Sequence, residues 1–194
     1  MKVTIVAEIA SNWEGSITKA KKLIKECKKA GANEAKFKVW RATDLYNKKH
    51  SNWREIKKSE LTFENIKLLK DFADKNKIDF FCSSFYPEAV GFLSSLNVKM
   101  HKVASRTCLF KDPYSYEPLQ KKAKTGKPII ISMGMGGNKN KIKNIFSQNK
   151  ITFCYCISEY PTALKKKKLN EKISPGFNLN LIWNLSSCNK FPSL

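Results

Sequence analysis

Short apolar runs alternate with longer amphipathic stretches along most of the chain. The runs Val3–Ala10, Ala35–Trp40, Ile78–Ser83, Met100–Ala104, Pro128–Met133 and Ile151–Cys156 carry a strand pattern. Between them, residues 16–30, 62–76, 87–96, 114–124 and 138–147 repeat apolar positions at helical spacing. The first helix is expected to start after Ser16, bury Ala20, Leu23, Ile24 and Cys27, and stop at Gly31. The second is expected to start at Thr62, with Ile66, Leu68, Leu69, Phe72 and Ala73 giving it a buried side. Gly126-Lys127-Pro128 ends a later helix just before the most apolar strand, Ile129–Ile131.

Alternating βα units with short connections imply a parallel sheet with right-handed crossovers. Two architectures satisfy that rule, a doubly wound open sheet and a (β/α) barrel, and the polarity of the strand faces separates them. Alternation puts Lys36 and Lys38 on one face of their strand and Ala35, Phe37 and Val39 on the other. Likewise Lys102 and Ala104 oppose His101 and Val103, and Thr4, Val6 and Glu8 oppose Ile5, Ala7 and Ile9. A doubly wound sheet is apolar on both faces, so inward polar residues near several strand ends fit a barrel better. About six βα units are present, whereas a closed barrel has eight. The expected fold is therefore α/β, an incomplete TIM-type barrel over residues 1–175, with 176–194 as a divergent tail of one lysine and no clear period.

At 194 residues the chain has room for one domain with a sizeable core. Its formal charge of +21 favours anionic ligands. Arginine occurs only at positions 41, 54 and 106, and basic and aromatic residues do not interleave on any one element. Both features argue against a nucleic-acid partner. The six cysteines form no CxxC pair, and Cys82, Cys154 and Cys156, in strand-like runs, read as small core residues of a reducing compartment. With no signal-peptide pattern and no membrane-spanning apolar run, the expected location is cytoplasmic.

Candidate chemistry gathers at the strand ends. Glu8 closes an apolar run and precedes a polar loop, Ser11–Gly15. Lys36, Lys38 and Lys102 would point into a barrel mouth, where cations stay solvated or meet anions. Ser105 follows a strand end, and Ser132 precedes Met133-Gly134-Met135-Gly136-Gly137, a turn able to offer backbone N–H groups to an anion. Together they point to a phosphate or carboxylate ligand. Each residue alone also has a plain structural reading: a solvated strand-end glutamate, exposed lysines, a turn-capping serine.

The segments AEIASNWEGS (7–16), KKAGANEAKFKV (28–39), Leu61-Thr62, CSSFYPEAV (82–90), HKVAS (101–105), TGKPIIISMGM (125–135) and SEYPT (158–162) occur in the order in which the N-acetylneuraminate (sialic acid) synthase family carries similar ones. The chain resembles that family from Val3 to about Thr162. The resemblance implies a TIM barrel that condenses phosphoenolpyruvate with an N-acylated mannosamine-type sugar, using manganese or magnesium, in a homodimer. It assigns proton transfer or water activation to Glu8. Lys36 and Lys102 would bind the phosphate and carboxylate of phosphoenolpyruvate, with Ser105 and Ser132 assisting, and Tyr160 would touch the sugar.

The departures are as specific. Lys38 stands where the family usually has glutamine, and Arg106-Thr107 replaces a Gly-Glu pair. Both changes bear on the sugar more than on phosphoenolpyruvate. The family's metal-binding histidines would follow Gly176-Phe177, where the chain reads Asn178-Leu179-Asn180. His50 and His101 do not match those positions, so no metal ligand is named and a C-terminally truncated chain of little or no activity is expected. Two other readings stay open: a lysine-rich anion- or nucleic-acid-binding α/β protein, and a non-catalytic fragment.

Overall fold

The computed structural model describes residues 4–154 and 156 and the backbone of residues 182–184. Its elements are β1 (Val6–Ala10), α1 (Ile17–Lys29), β2 (Glu34–Val39), α2 (Ala42–Leu45), α3 (Trp53–Lys58), α4 (Phe63–Lys75), β3 (Asp79–Ser84), α5 (Pro87–Ser95), β4 (His101–Val103), α6 (Glu117–Ala123), β5 (Ile129–Ser132), α7 (Lys139–Ile145), β6 (Ile151–Cys154) and β7 (Ile182–Asn184). A 3₁₀ turn, Arg106–Leu109, follows β4.

Helix boundaries follow the local chemistry read from the sequence. The Ser16 hydroxyl accepts from the Lys19 amide at 3.2 Å, and Thr62 accepts from the Asn65 amide at 3.1 Å, each satisfying an otherwise unpaired donor at a helix start. Gly31, just past α1, adopts φ +86, the left-handed conformation in which a β-carbon is strained. Ala20, Ile24 and Cys27 of α1 and Ile66, Leu69 and Ala73 of α4 are the buried stripes, whereas Leu68, expected inside, is 37% exposed because two residues past Ile66 fall on the opposite side of a helix.

All strand pairs are parallel, in the order β6-β5-β4-β3-β2-β1-β7. The sheet from β1 to β6 curls through 189° into an open, incomplete barrel, the fold class expected from the strand faces. Within the divergent tail, the described strand β7 pairs with the edge of β1 opposite β2, aligning Ile182 with Val6 and Asn184 with Glu8.

The alternation of each strand divides the core. Ala7, Ile9, Ala35, Phe37, Val39, Phe80 and Cys82 pack outward against α1, α4 and α5, while Val103, Ile129 and Ile131 pack with Leu119, Ile142 and Phe146 from the α6–α7 side. On the concave face, Val6, Phe81 and Ile130 form a small apolar plug, with Met100 and Cys154 against it. Burying the outer faces under helices leaves the inner positions toward the C-terminal strand ends to polar groups, which is how the fold makes room for a site.

Candidate active site

Strand register brings the predicted residues together in adjoining layers of the concave face. Glu8 on β1 is aligned with Lys36 on β2, which is aligned with Phe81 on β3. One pleat further on, Lys38 is aligned with Ser83, and Ser83 with Lys102 on β4. Ser132 ends β5 opposite Cys154 of β6. Five side chains thus converge on the concave face from four strands, β1, β2, β4 and β5. A β-bulge between Glu8 and Ala10, with Ala10 at φ +51, interrupts the β1–β2 ladder directly after Glu8.

The contacts show how this cationic cup is held. The Lys36 ammonium, 1% exposed, forms an ion pair with Glu8 Oε2 and donates to Ser83 Oγ at 3.1 Å. Glu8 Oε1 has no hydrogen-bond partner among the described residues. Lys102, 3% exposed, donates to Ser132 Oγ at 2.6 Å and to the Val103 carbonyl at 2.7 Å. Burial pushes the Lys102 ammonium down from its ordinary pKa, and Lys36 adds to the effect. Lys38 is pushed down to about 8, first by desolvation, with Lys36 and Lys102 repelling its charge and Glu8 opposing them.

Ser105 lies just beyond β4 and accepts from the Gly134 amide at 3.1 Å, anchoring the glycine-rich turn that follows Ser132. The Gly136 amide donates to the Met133 carbonyl at 2.9 Å, and the Asn138 side chain accepts from the Lys141 amide at 2.9 Å as α7 begins. With those amides engaged, and α7 only seven residues long, the turn offers an anion less than its glycine pattern promises. Gly137, at φ +111, lies so close to the 3₁₀ turn that a β-carbon there would sit 2.6 Å from the Cys108 carbonyl oxygen.

Two features escape the sequence pattern. Ser83 holds Lys36, yet in Cys82-Ser83-Ser84 nothing marks one serine above the other until strand parity is known. Lys122, between the exposed Lys121 and Lys124, is fully buried and donates to the Ser84 carbonyl at 2.7 Å. Arg106, one of the two residues that replace the family's Gly-Glu pair, is held by its own loop: its guanidinium forks onto Asp112, with Nε 2.8 and 2.9 Å from the two carboxylate oxygens, and reaches the Leu45 carbonyl at 3.2 Å. It thereby fastens the loop after β4 to the end of α2. Tyr160, the expected sugar contact, lies outside the described residues.

The donor set does not suit the divalent metal that the resemblance implies. Among the described residues no three of His, Cys, Asp and Glu come together to hold an ion. His101 faces the helix layer, its Nε2 3.5 Å from Ser94 Oγ, and His50 lies between α2 and α3. Among the described residues no helix is long and apolar enough to cross a membrane.

Residues 23–180 match the NeuB family. An uncharacterised protein of Methanocaldococcus jannaschii is 36% identical over 171 residues, covering 86% of this chain and 49% of the relative. The mouse (Mus musculus) N-acetylneuraminate-9-phosphate synthase is 33% identical over 174 residues, covering 81% of this chain and 47% of that enzyme. Among solved structures, N-acetylneuraminic acid synthetase from Leptospira borgpetersenii, in complex with citrate, superposes with a TM-score of 0.76 at 24% identity, over 88% of this chain and 59% of that one. This last likeness is one of fold. The chain spans about half the length of the curated relatives it matches.

Proposed function

The chain belongs to the NeuB family, and from that premise we propose that its cup binds phosphoenolpyruvate for condensation with an N-acylated mannosamine-type sugar, giving a nonulosonic acid. The observation that carries this reading is the convergence of Glu8, Lys36, Lys38, Lys102 and Ser132 on one concave face. Cations fixed on separate strands are pre-positioned for a small polyanion and need no reorganisation when it arrives.

In the proposed reaction, Lys36 and Lys102 hold the phosphate and carboxylate of phosphoenolpyruvate, with Ser132 beside Lys102 and Ser105 at the turn. The methylene carbon of the donor forms a bond to the aldehyde carbon of the open-chain sugar, whose oxygen becomes a hydroxyl. Water adds at the neighbouring carbon, and the bond from that carbon to the phosphate oxygen breaks. Glu8, paired to Lys36 and with one oxygen unengaged among the described residues, accepts a proton from the water and passes it to the alkoxide formed from the aldehyde. The hydroxyl left on the neighbouring carbon gives its proton to the departing phosphate as the ketone forms. Tyr160 serves the sugar. Holding donor and acceptor in one orientation supplies much of the rate in such a condensation. We propose a cytoplasmic protein, dimeric like the family it resembles, and derive no step through a metal.

Calorimetric titration with phosphoenolpyruvate tests the reading. Binding is expected for the wild type, with at least about a tenfold loss in Lys102→Ala, because a charge-assisted contact is removed. Equal binding by the two proteins would refute the donor site. In an assay with manganese and N-acetylmannosamine, this chain alone is expected to release little or no phosphate.

A further inference from the structure

Of the three inward lysines, two have protein partners. Lys36 is neutralised by Glu8 and also bonded to Ser83, and Lys102 donates to Ser132 and to the Val103 carbonyl. Lys38 stands in the same layer as Ser83 and Lys102, yet its ammonium has no hydrogen bond or ion pair among the described residues. We propose that Lys38 is the third cation of the donor site, contacting the anionic donor directly. The inference rests on the donor reading above and deepens it.

Charge bookkeeping selects the donor over the sugar as the partner of Lys38. A phosphate monoester has its second pKa near about 6, so at pH 8 phosphoenolpyruvate carries three negative charges, one on the carboxylate and two on the phosphate. The Glu8–Lys36 pair is neutral as a unit, which leaves Lys102 and Lys38 to face those charges. An anionic acceptor would add negative charge to a site whose cations are already outnumbered.

The groups facing Lys38 are Glu8 from β1, Lys36 from its own strand and Lys102 from β4. In the free protein desolvation and the two lysines hold its pKa at about 8, so the ammonium is about half protonated there. An anion replacing that repulsion favours the charged form, and binding must then draw in a proton. Burial also pushes Lys102 down, and that residue is common to all the proteins compared, so a comparison of variants isolates Lys38.

The experiment is calorimetric titration of phosphoenolpyruvate into the wild type, Lys38→Gln and Lys38→Arg, in two buffers of different ionisation enthalpy, from about pH 7 to about pH 9. At pH 8 the wild type is expected to take up about half a proton more than either variant. Its affinity is expected to fall about tenfold relative to Lys38→Arg between about pH 7 and about pH 9, as Lys38 loses its charge. Lys38→Gln is expected to bind about tenfold more weakly than the wild type near pH 7. Should Lys38→Gln fail to fold, the wild type against Lys38→Arg decides alone. Equal uptake and parallel pH profiles in the proteins that fold would overturn the role of Lys38 and leave the donor site standing. A wild type that binds no phosphoenolpyruvate would overturn both.

Discussion

His101 occupies the outer face of β4, fully buried between the sheet and the helices. Burial, reinforced by Lys122 and Lys127, pushes its pKa from 6.5 to about 4. Between those values the unfolded chain binds a proton at this residue and the folded chain does not, so its contribution to stability is lost as pH falls. Glu34 works the other way: its pKa is raised to about 7 by burial and by Asp79, so the folded state gains from protonating it as pH falls from 7 to 4.5. The two effects oppose each other in the wild type, and a variant separates them. In urea denaturation, the stability difference between His101→Gln and the wild type is expected to move in the variant's favour by up to about 3 kcal/mol from pH 6.5 to 4. A difference that stays constant with pH would show that His101 titrates normally. The outward placement of His101 and the inward placement of Lys36 and Lys102 were legible from parity alone, since a strand has only two faces. The burial of Lys122 was not, because it depends on the Ser84 carbonyl standing within reach, and no local pattern records that.

At the scale of elements, the glycine-rich turn between β5 and α7 does more to brace than to bind. It is tied to Ser105 through the Gly134 amide and pressed against Cys108 at Gly137, so it fixes the end of β5 where Ser132 meets Lys102. Gly137→Ala is expected to destabilise the fold by about 1–3 kcal/mol and to weaken phosphoenolpyruvate binding, because the new methyl group meets a backbone carbonyl. Gly136→Ala is the contrast. With φ +90 but no atom within 4 Å of a β-carbon, it carries the backbone strain alone and should cost less. Thermal unfolding midpoints rank the two, and equal losses would mean that the close approach to Cys108 is unimportant. Every strand and helix expected from periodicity is present, with ends shifted by up to three residues, as at residues 114–124 against Glu117–Ala123. The elements without a sequence signal were α2, α3, the 3₁₀ turn and β7. Segments of three to six residues are too short to display a period, and β7 owes its place to a partner strand.

For the whole molecule, the count of βα units already implied an unclosed barrel, and the sheet's curl of 189° agrees. The cup is assembled within that arc from β1 to β5, so donor binding needs nothing beyond the described strands. Phosphoenolpyruvate affinity is therefore expected to be the same in EDTA as with added manganese. Calorimetry in the two conditions checks this, and a chelator-sensitive affinity would mean that an ion takes part in holding the donor. Charge tells a less specific story at this scale. A net +21 spread over helix surfaces draws anions of many kinds, and only the register of the inner strands turns that general attraction into a defined site.

That register has a consequence for how the gene can change. Because the two faces of β2 are so unlike, an in-frame codon gained or lost just ahead of Glu34 would rotate the strand by one position. The mouth would then fill with Phe37 and Val39 while both cations turned under the greasy helices. Indels should therefore be far more damaging there than in the exposed Asn47–Lys49 stretch, where no alternation has to be preserved.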